Sequence, residues 1–431
     1  MRVLLRLQRT LTVMAAAMLV AACGVYRDSP SRRLDYPTVS SVAERWRPLA
    51  QRLASLTGYA PVTDNDIEIL TDNDRRRDVL IEQSRLAQES IWMQYYSFEA
   101  DSLSAPVYDA LCRRAGEGLD CRLLVESDNI PSRELARLHD LAPAELQIRG
   151  WHDDSSFFDR IVNFNSRNHR KLFCRDAVTA ITGGRNIRNE YFDDWRDTDV
   201  MITGAAVMDM GRIFAADWRA TGPDAEVLRR PSADALRRAR EAMSVDAIRG
   251  VTVQIVPEDP EDGIMPSEES YILALESARD YFYITDPYFL PTDGILDALL
   301  EASRRGVDVR ILFPGENDVF LMKWSAEHFY RRLLEAGVRI YEWPHSILHA
   351  KTFVSDGYLS CIGSCNLDLR SLTLQNEMNV LIYDERAAGL MRQIFLEDIS
   401  DSREVLADEV KKWTALRVLR NAAIMPFGGL L

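Results

Sequence analysis

The chain repeats itself, and the repetition constrains its architecture more than any other feature. Gly118-Leu119-Asp120-Cys121-Arg122 returns as Gly306-Val307-Asp308-Val309-Arg310, and Asp109-Ala110-Leu111 returns as Asp297-Ala298-Leu299, both at an offset of 188 residues. The hydrophobic pattern around each copy alternates between helix and strand. In the first half a helical stretch leads into the apolar run 91–96, a second helix follows, and 121–125 reads as the next strand. In the second half helices through 274–280 and 295–305 frame strands at 281–285 and 309–313. Strands alternating with helices of this length form βαβ units, and Gly118 and Gly306 stand where a helix ends in a left-handed residue. The expected fold class is α/β, built as two similar domains.

The boundaries follow from breaks in this pattern. Residues 1–23 form an export signal and 24–60 a linker with a short helix. Residues 61–225 form the first domain, 226–250 a helical linker rich in Arg, Ala and Glu, and 251–431 the second domain. The second domain ends in an amphipathic tail. Lys411, Lys412, Arg417 and Arg420 alternate there with Trp413, Leu416, Val418 and Leu419. Such a tail either lies on an anionic bilayer or docks on the second domain as an ordinary amphipathic helix.

The N-terminus carries Arg2, Arg6 and Arg9, then the apolar stretch 11–22, then Cys23. A basic start, a short apolar segment and small residues before a cleavage point describe an export signal, and the segment is short for a spanning helix. Val20-Ala21-Ala22-Cys23 resembles the lipobox of bacterial lipoproteins, with Val where Leu is commoner, and that resemblance implies lipidation at Cys23. The alternative is an uncleaved anchor. Both put the body of the chain in the bacterial cell envelope, facing the periplasm beside a membrane. The formal charge of −14, from 52 Lys and Arg against 66 Asp and Glu, weighs against nucleic acid as the main partner, because proteins that grip it nonspecifically are usually basic. The other five cysteines show no zinc-site spacing and read as small buried hydrophobes.

Each half then carries one more pattern. His169 and Lys171 are followed by Asp176, and His349 and Lys351 by Asp356, both as His-x-Lys-x4-Asp at an offset of 180. One copy is a weak signal. Two copies use two of only five lysines in the chain, and the same offset carries Gly183 onto Gly363, Gly184 onto Ser364, Asn186 onto Asn366, and Asp197 onto Glu377. A histidine and a lysine two residues apart on a strand share a face. Two facing halves therefore present two imidazoles and two ammonium groups to one cleft. That set can supply a nucleophile, a general acid and fixed positive charge to an anionic substrate.

The doubled motif, each copy followed by G-[GS]-x-N, resembles the phospholipase D superfamily. The wider text, including YITDPYFLPTDGILDALLEASRRGVDVRILFP and HAKTFVSDGYLSCIGSCNLDLRSLTLQNEMNV, resembles its bacterial cardiolipin synthase branch over about residues 65–400. Members of that branch often begin with two membrane helices, where this chain has an export signal. The resemblance implies two α/β domains of phospholipase D type, each a mixed, mostly parallel sheet flanked by helices. They would be related by a pseudo-two-fold axis within a monomer, with the active site at their interface.

The implied chemistry is phosphatidyl transfer through a phosphohistidine, with His169 as nucleophile and His349 as acid. Lys171 and Lys351 would supply positive charge, with no metal and no cofactor. Asp197 and Glu377 would hold the far ring nitrogens of the histidines. Asn186, Asn366, Ser364 and Gly184 would bind the phosphate, and Asp176 and Asp356 would be structural. The partners are phospholipid substrates in a membrane, and the product is cardiolipin made from phosphatidylglycerol and a second phospholipid. The alternatives are a hydrolytic phospholipase D, an envelope nuclease of the same superfamily, and an inactive lipid-binding scaffold.

Overall fold

The computed structural model describes residues 37–151, 167–222 and 230–425. The export signal and Cys23 lie outside the described residues. The first half runs α1 (Arg47–Thr57), β1 (Val62–Leu70), α2 (Asn73–Leu86), β2 (Ser90–Tyr95), α3 (Ala105–Gly116), β3 (Asp120–Glu126), α4 (Ser132–Leu141), β4 (Gln147–Trp151), β5 (Arg167–Asn168), β6 (Leu172–Arg175), β7 (Thr179–Gly183), β8 (Asp199–Thr203) and α5 (Val207–Ala220). The second runs α6 (Ala233–Glu241), β9 (Ile248–Glu258), α7 (Pro266–Ser277), β10 (Tyr281–Thr285), β11 (Phe289–Leu290), α8 (Asp293–Arg304), β12 (Asp308–Pro314), α9 (Phe320–Ala336), β13 (Arg339–Trp343), β14 (Lys351–Ser355), β15 (Leu359–Gly363), β16 (Leu367–Asp368), α10 (Leu369–Thr373), β17 (Gln375–Tyr383), α11 (Glu385–Ser400), β18 (Arg403–Val405), α12 (Ala407–Lys411) and α13 (Ala415–Ile424).

Strand order repeats between the halves. The first reads β4-β3-β2-β6-β7-β8-β1 and the second β13-β12-β10-β14-β15-β17-β9, with β18 added at the outer edge. Antiparallel pairing of β1 with β9 joins them into one continuous sheet. Helices cover both faces, so inner strands are apolar throughout rather than alternating. All nine residues of β17 are buried, and each fully buried Val, Leu or Ile there contributes about 1.5–3 kcal/mol. One apolar cluster takes Ile67, Val200 and Ile202 from the first half and Val253, Val380 and Ile382 from the second, so the halves share a core.

The sheet is mixed, as the sequence implies, but the expectation that it is mostly parallel needs correction. In each half β2–β3–β4, or β10–β12–β13, pair in parallel, while the four pairings from β2 to β1, or from β10 to β9, are antiparallel. The reason lies in the connections. The parallel neighbours are joined by the helical crossovers after β2 and β10 and after β3 and β12, whereas among the antiparallel pairs β6–β7 and β14–β15 are closed by tight turns. The turns are made by the motif aspartates. Asp176 and Ala177 sit at φ 52° and 53°, and Asp356 and Gly357 at 48° and 66°. Two successive positive φ values are what a type I′ hairpin turn demands. Each aspartate then accepts three backbone N–H groups: Asp176 from Gln88, Glu89 and Ser90, and Asp356 from Arg279, Asp280 and Tyr281.

Both ends of the described chain pack on the second half. Leu49, Ala50 and Leu53 of α1 enter its core beside Tyr271 and Leu275. Helix α13 docks on α9, where Arg417, Arg420 and Asn421 all bond the Glu327 carboxylate. Its outer face leaves Leu416 77% exposed and Leu419 67% exposed. Among the described residues no helix is long and apolar enough to cross a membrane.

Candidate active site

The two motif histidines stand just before β6 and at the head of β14, where each chain segment crosses to the opposite half. Strand β5 pairs with the start of β17, and His169 N donates to the Asn376 carbonyl at 2.9 Å. Reciprocally, Arg196 pairs with Leu348, and His349 N donates to the Arg196 carbonyl at 2.7 Å. Each crossing sets a histidine beside the carboxylate that follows in the other half. His169 Nδ1 lies 2.7 Å from Glu377 Oε1, and His349 Nδ1 lies 2.8 Å from Asp197 Oδ2. Both carboxylates are fully buried. Arg170, next to His169, locks one crossing by donating to the Glu377 and Glu258 carbonyls and to both oxygens of Asp217.

Both imidazoles line one cleft of about 270 Å³. Tyr96 packs edge-on against His169, while Tyr191, Trp195 and Tyr288 surround His349. Tyr95 and Phe289, from the same strand ends as Tyr96 and Tyr288, belong instead to the cores. Asn186 and Asn366 line the cleft. Asn186 also fixes its wall, accepting from Ser97 N and donating to the Tyr191 hydroxyl, and Asn366 donates to Ser371. Lys171 and Lys351 lie fully buried behind the histidines, each donating to the carbonyl of its own histidine. Lys351 also sits 2.9 Å from His349 Nδ1. Asp176 and Asp356 occupy the far ends of β6 and β14.

Two residues expected to bind phosphate have other work. The single hydroxyl proton of Ser364 is donated to Glu377 Oε2 at 2.5 Å, since a buried carboxylate is the stronger acceptor. Gly184 makes room for the other carboxylate, because a Cβ there would lie 2.4 Å from Asp197 Oδ1. Neither lines the cleft; both position the acids behind the histidines.

The two acids differ electrostatically. Burial pushes the Glu377 carboxyl up to about 8, against the opposing pull of Lys171 and of the Ser364 hydrogen bond. Burial would raise Asp197 too, but the His349 hydrogen bond and the charges of His349, Lys351 and Arg185 hold it well below the usual carboxylate range. The histidines differ likewise. Burial drives His169 well below its ordinary value, and Lys171, Lys351, His349 and Arg370 add to the fall. Burial and Lys351 also lower His349, but Asp197 and Asp318 pull it back up. Burial lowers both lysines.

Several cleft residues were not legible as site residues in the sequence, chiefly Arg188, Asp318, Arg370 and Gln375. Extending the offset of 180 past the asparagines pairs Arg188 with Asp368 and Glu190 with Arg370. These look like mismatches, yet all four line the cleft. Among the described residues no cluster of three or more His, Cys, Asp or Glu could hold a metal ion.

A family model described as cardiolipin synthase, PLD-like domain, matches residues 80–218 and again residues 271–399. Cardiolipin synthase 2 of Staphylococcus epidermidis is 31% identical over 392 residues, covering 88% of this chain and 78% of that protein. A cardiolipin synthase of Clostridium perfringens is 31% identical over 363 residues, covering 81% and 73%. The crystal structure of a phosphatidylserine synthase of Haemophilus influenzae superposes with a TM-score of 0.66 at 15% identity, over 90% of this chain and all of that one, which establishes a shared fold.

Proposed function

The chain belongs to the cardiolipin synthase family of phospholipase D-like phosphatidyltransferases, and from that membership and the cleft's geometry we propose that it makes cardiolipin through a phosphatidyl-histidine intermediate. The observation that carries the mechanism is the reciprocal pairing of His169 with Glu377 and of His349 with Asp197 around one cleft. An ionised Glu377 accepts from His169 Nδ1–H and leaves the Nε2 lone pair free to attack the donor phosphorus. Asp197 stabilises a protonated His349, whose Nε2–H goes to the departing alcohol oxygen. The phosphorus is then bonded to His169 Nε2. In the second step neutral His349 takes the proton of the acceptor hydroxyl, whose oxygen attacks phosphorus and releases His169. The surroundings favour this division of labour. Arg370 and the lysines disfavour a cation at His169, and Asp318 favours one at His349.

A lipid substrate suits the rim of the cleft. Val319 lines it, and the adjacent Phe320 is 61% exposed. The outer face of α13, where Leu416 and Leu419 are exposed, would lie against a membrane as well. Envelope location through a lipidated Cys23 or an N-terminal anchor is part of the same reading. The net charge of −14 argues against a nuclease, and the complete set of paired histidines and acids argues against a scaffold. The experiment is incubation of the purified chain with labelled phosphatidylglycerol vesicles beside His169→Ala and His349→Ala. Cardiolipin from the wild type alone supports the proposal, and phosphatidic acid in its place makes the enzyme a hydrolase.

A further inference from the structure

The cleft is symmetric in its histidines and asymmetric in its arginines. Arg188, at the first-half end, is neutralised: its Nε lies 3.1 Å from both Glu99 and Glu190. Arg370, at the second-half end, lines the same cleft, and among the described residues no carboxylate lies within 4 Å of it. With the Gln375 amide oriented to satisfy both neighbours, its oxygen accepts from Arg370 Nε at 3.0 Å and its nitrogen donates to Glu377 Oε1 at 3.2 Å. That oxygen is the one that holds His169. The Arg370 fork is thus tied by one amide to the His169 pair, while its two amino groups have no protein acceptor among the described residues.

A half-buried guanidinium with no carboxylate within 4 Å among the described residues, in a concave polar cleft, can meet a planar or tetrahedral oxyanion with two parallel N–H bonds. The reaction supplies one such anion that the histidines do not consume. On the reading proposed above, on which this inference rests, the reacting phosphodiester lies between His169 and His349. An acceptor that is itself a phospholipid brings a second phosphodiester, one glycerol away from the attacking hydroxyl. Arg188 already has its carboxylates, so Arg370 is the cleft arginine left to receive it.

We propose that Arg370 forms a second anion subsite, which binds the non-reacting phosphodiester of an anionic lipid acceptor and so selects that acceptor over water and neutral alcohols.

The test is a product partition. Wild type, Arg370→Gln and Arg370→Lys are each given labelled phosphatidylglycerol vesicles with 1-butanol, and cardiolipin is measured against phosphatidylbutanol in the same tube. In separate tubes glycerol-3-phosphate replaces butanol as a soluble anionic acceptor, with its product measured against cardiolipin. Arg370→Gln is expected to lower the ratio of cardiolipin to phosphatidylbutanol by about ten- to a hundredfold, the span of one charge-assisted hydrogen bond, and Arg370→Lys by less. If transfer to glycerol-3-phosphate falls along with cardiolipin, the subsite reads phosphate alone; if only cardiolipin falls, it reads the lipid phosphodiester. Either result supports the subsite. An unchanged ratio, or proportional loss of both products, overturns it. A wild type that makes none of these products defeats the underlying transferase reading instead, which separates the two failures.

Discussion

His169 of the first half and Glu377 of the second lie 2.7 Å apart, and among the described residues no carboxylate of the first half pairs with His169. The nucleophile and the group that orients it come from segments 208 residues apart, and the reciprocal pair His349–Asp197 spans 152. The site therefore exists only when both halves are folded and joined. Glu377→Gln keeps the shape but holds His169 in the wrong tautomer, so kcat falls on the order of 10³-fold or more, by analogy with the loss of the orienting carboxylate in a Ser-His-Asp triad. Asp197→Asn acts on the acid and does the same. Steady-state cardiolipin formation from vesicles checks both.

Activity depends on pH through both of these pairs. When Glu377 holds a proton, its O–H donates to His169 Nδ1, and the hydrogen moves to Nε2, where it blocks attack. Attack needs Glu377 ionised, with its carboxyl pushed up to about 8, and His349 protonated, with its imidazole lowered by burial and Lys351; the two states overlap in a constant minority between those values, so kcat/KM is bell-shaped and falls as pH rises above about 8. Ser364 donates to the ionised form. Ser364→Ala removes that bond, raises the Glu377 carboxyl further, and so moves the falling limb to higher pH above a lower plateau, which a kcat/KM profile from pH 6 to 10 reads directly.

Stability depends on the same carboxyl. The folded carboxyl of Glu377 binds its proton more tightly than the ordinary value of 4.5 allows, so its contribution is fully present below about 4.5 and is lost as pH rises through about 8. Glu377→Gln has nothing to ionise. Between pH 5 and 9 the Tm of wild type should fall relative to that of Glu377→Gln, and equal slopes in thermal melts would contradict the buried titration.

The hairpin turns make a structural prediction free of catalysis. Ala177 holds φ 53°, a conformation that costs a residue with a Cβ about 1–2 kcal/mol, where the second half has Gly357. Ala177→Gly should raise Tm, with a gain on the order of 1 kcal/mol or less after the flexibility it adds to the unfolded chain. Asp176→Ala strips three backbone N–H groups of their acceptor and should cost about 2 kcal/mol or more. For both variants kcat of the folded enzyme stays within about twofold.

Gly184→Ala tests the other acid. The added methyl meets the Asp197 carboxylate at 2.4 Å, and the strand behind it is buried. Overpacking of this kind costs about 1–3 kcal/mol, and displacement of Asp197 from His349 should lower kcat more than it raises KM.

Much of the fold and the site is legible in the sequence because duplication converts weak motifs into strong ones. The offset of 180 alone carries Asp197 onto Glu377, and both lie behind a histidine. The exchange between halves is not legible, since an offset compares positions and says nothing about which copy a side chain faces. Ser364 and Gly184 mislead for a related reason: adjacency to a motif does not reveal that a hydroxyl is already bonded, or that a missing Cβ serves a neighbour. Arg370 escapes because the repeat sets it against Glu190. Sequence comparison weighs likeness, and the cleft uses the difference.

The central claim is a covalent phosphatidyl group on His169. A rapid denaturing quench at alkaline pH with labelled phosphatidylglycerol, followed by peptide mass mapping, tests it most directly. The account predicts label on the peptide containing His169 in the wild type, retained or increased in His349→Ala if the donor has a good leaving group, and absent from His169→Ala. Label on His349 instead, or cardiolipin formed by His169→Ala, would contradict it.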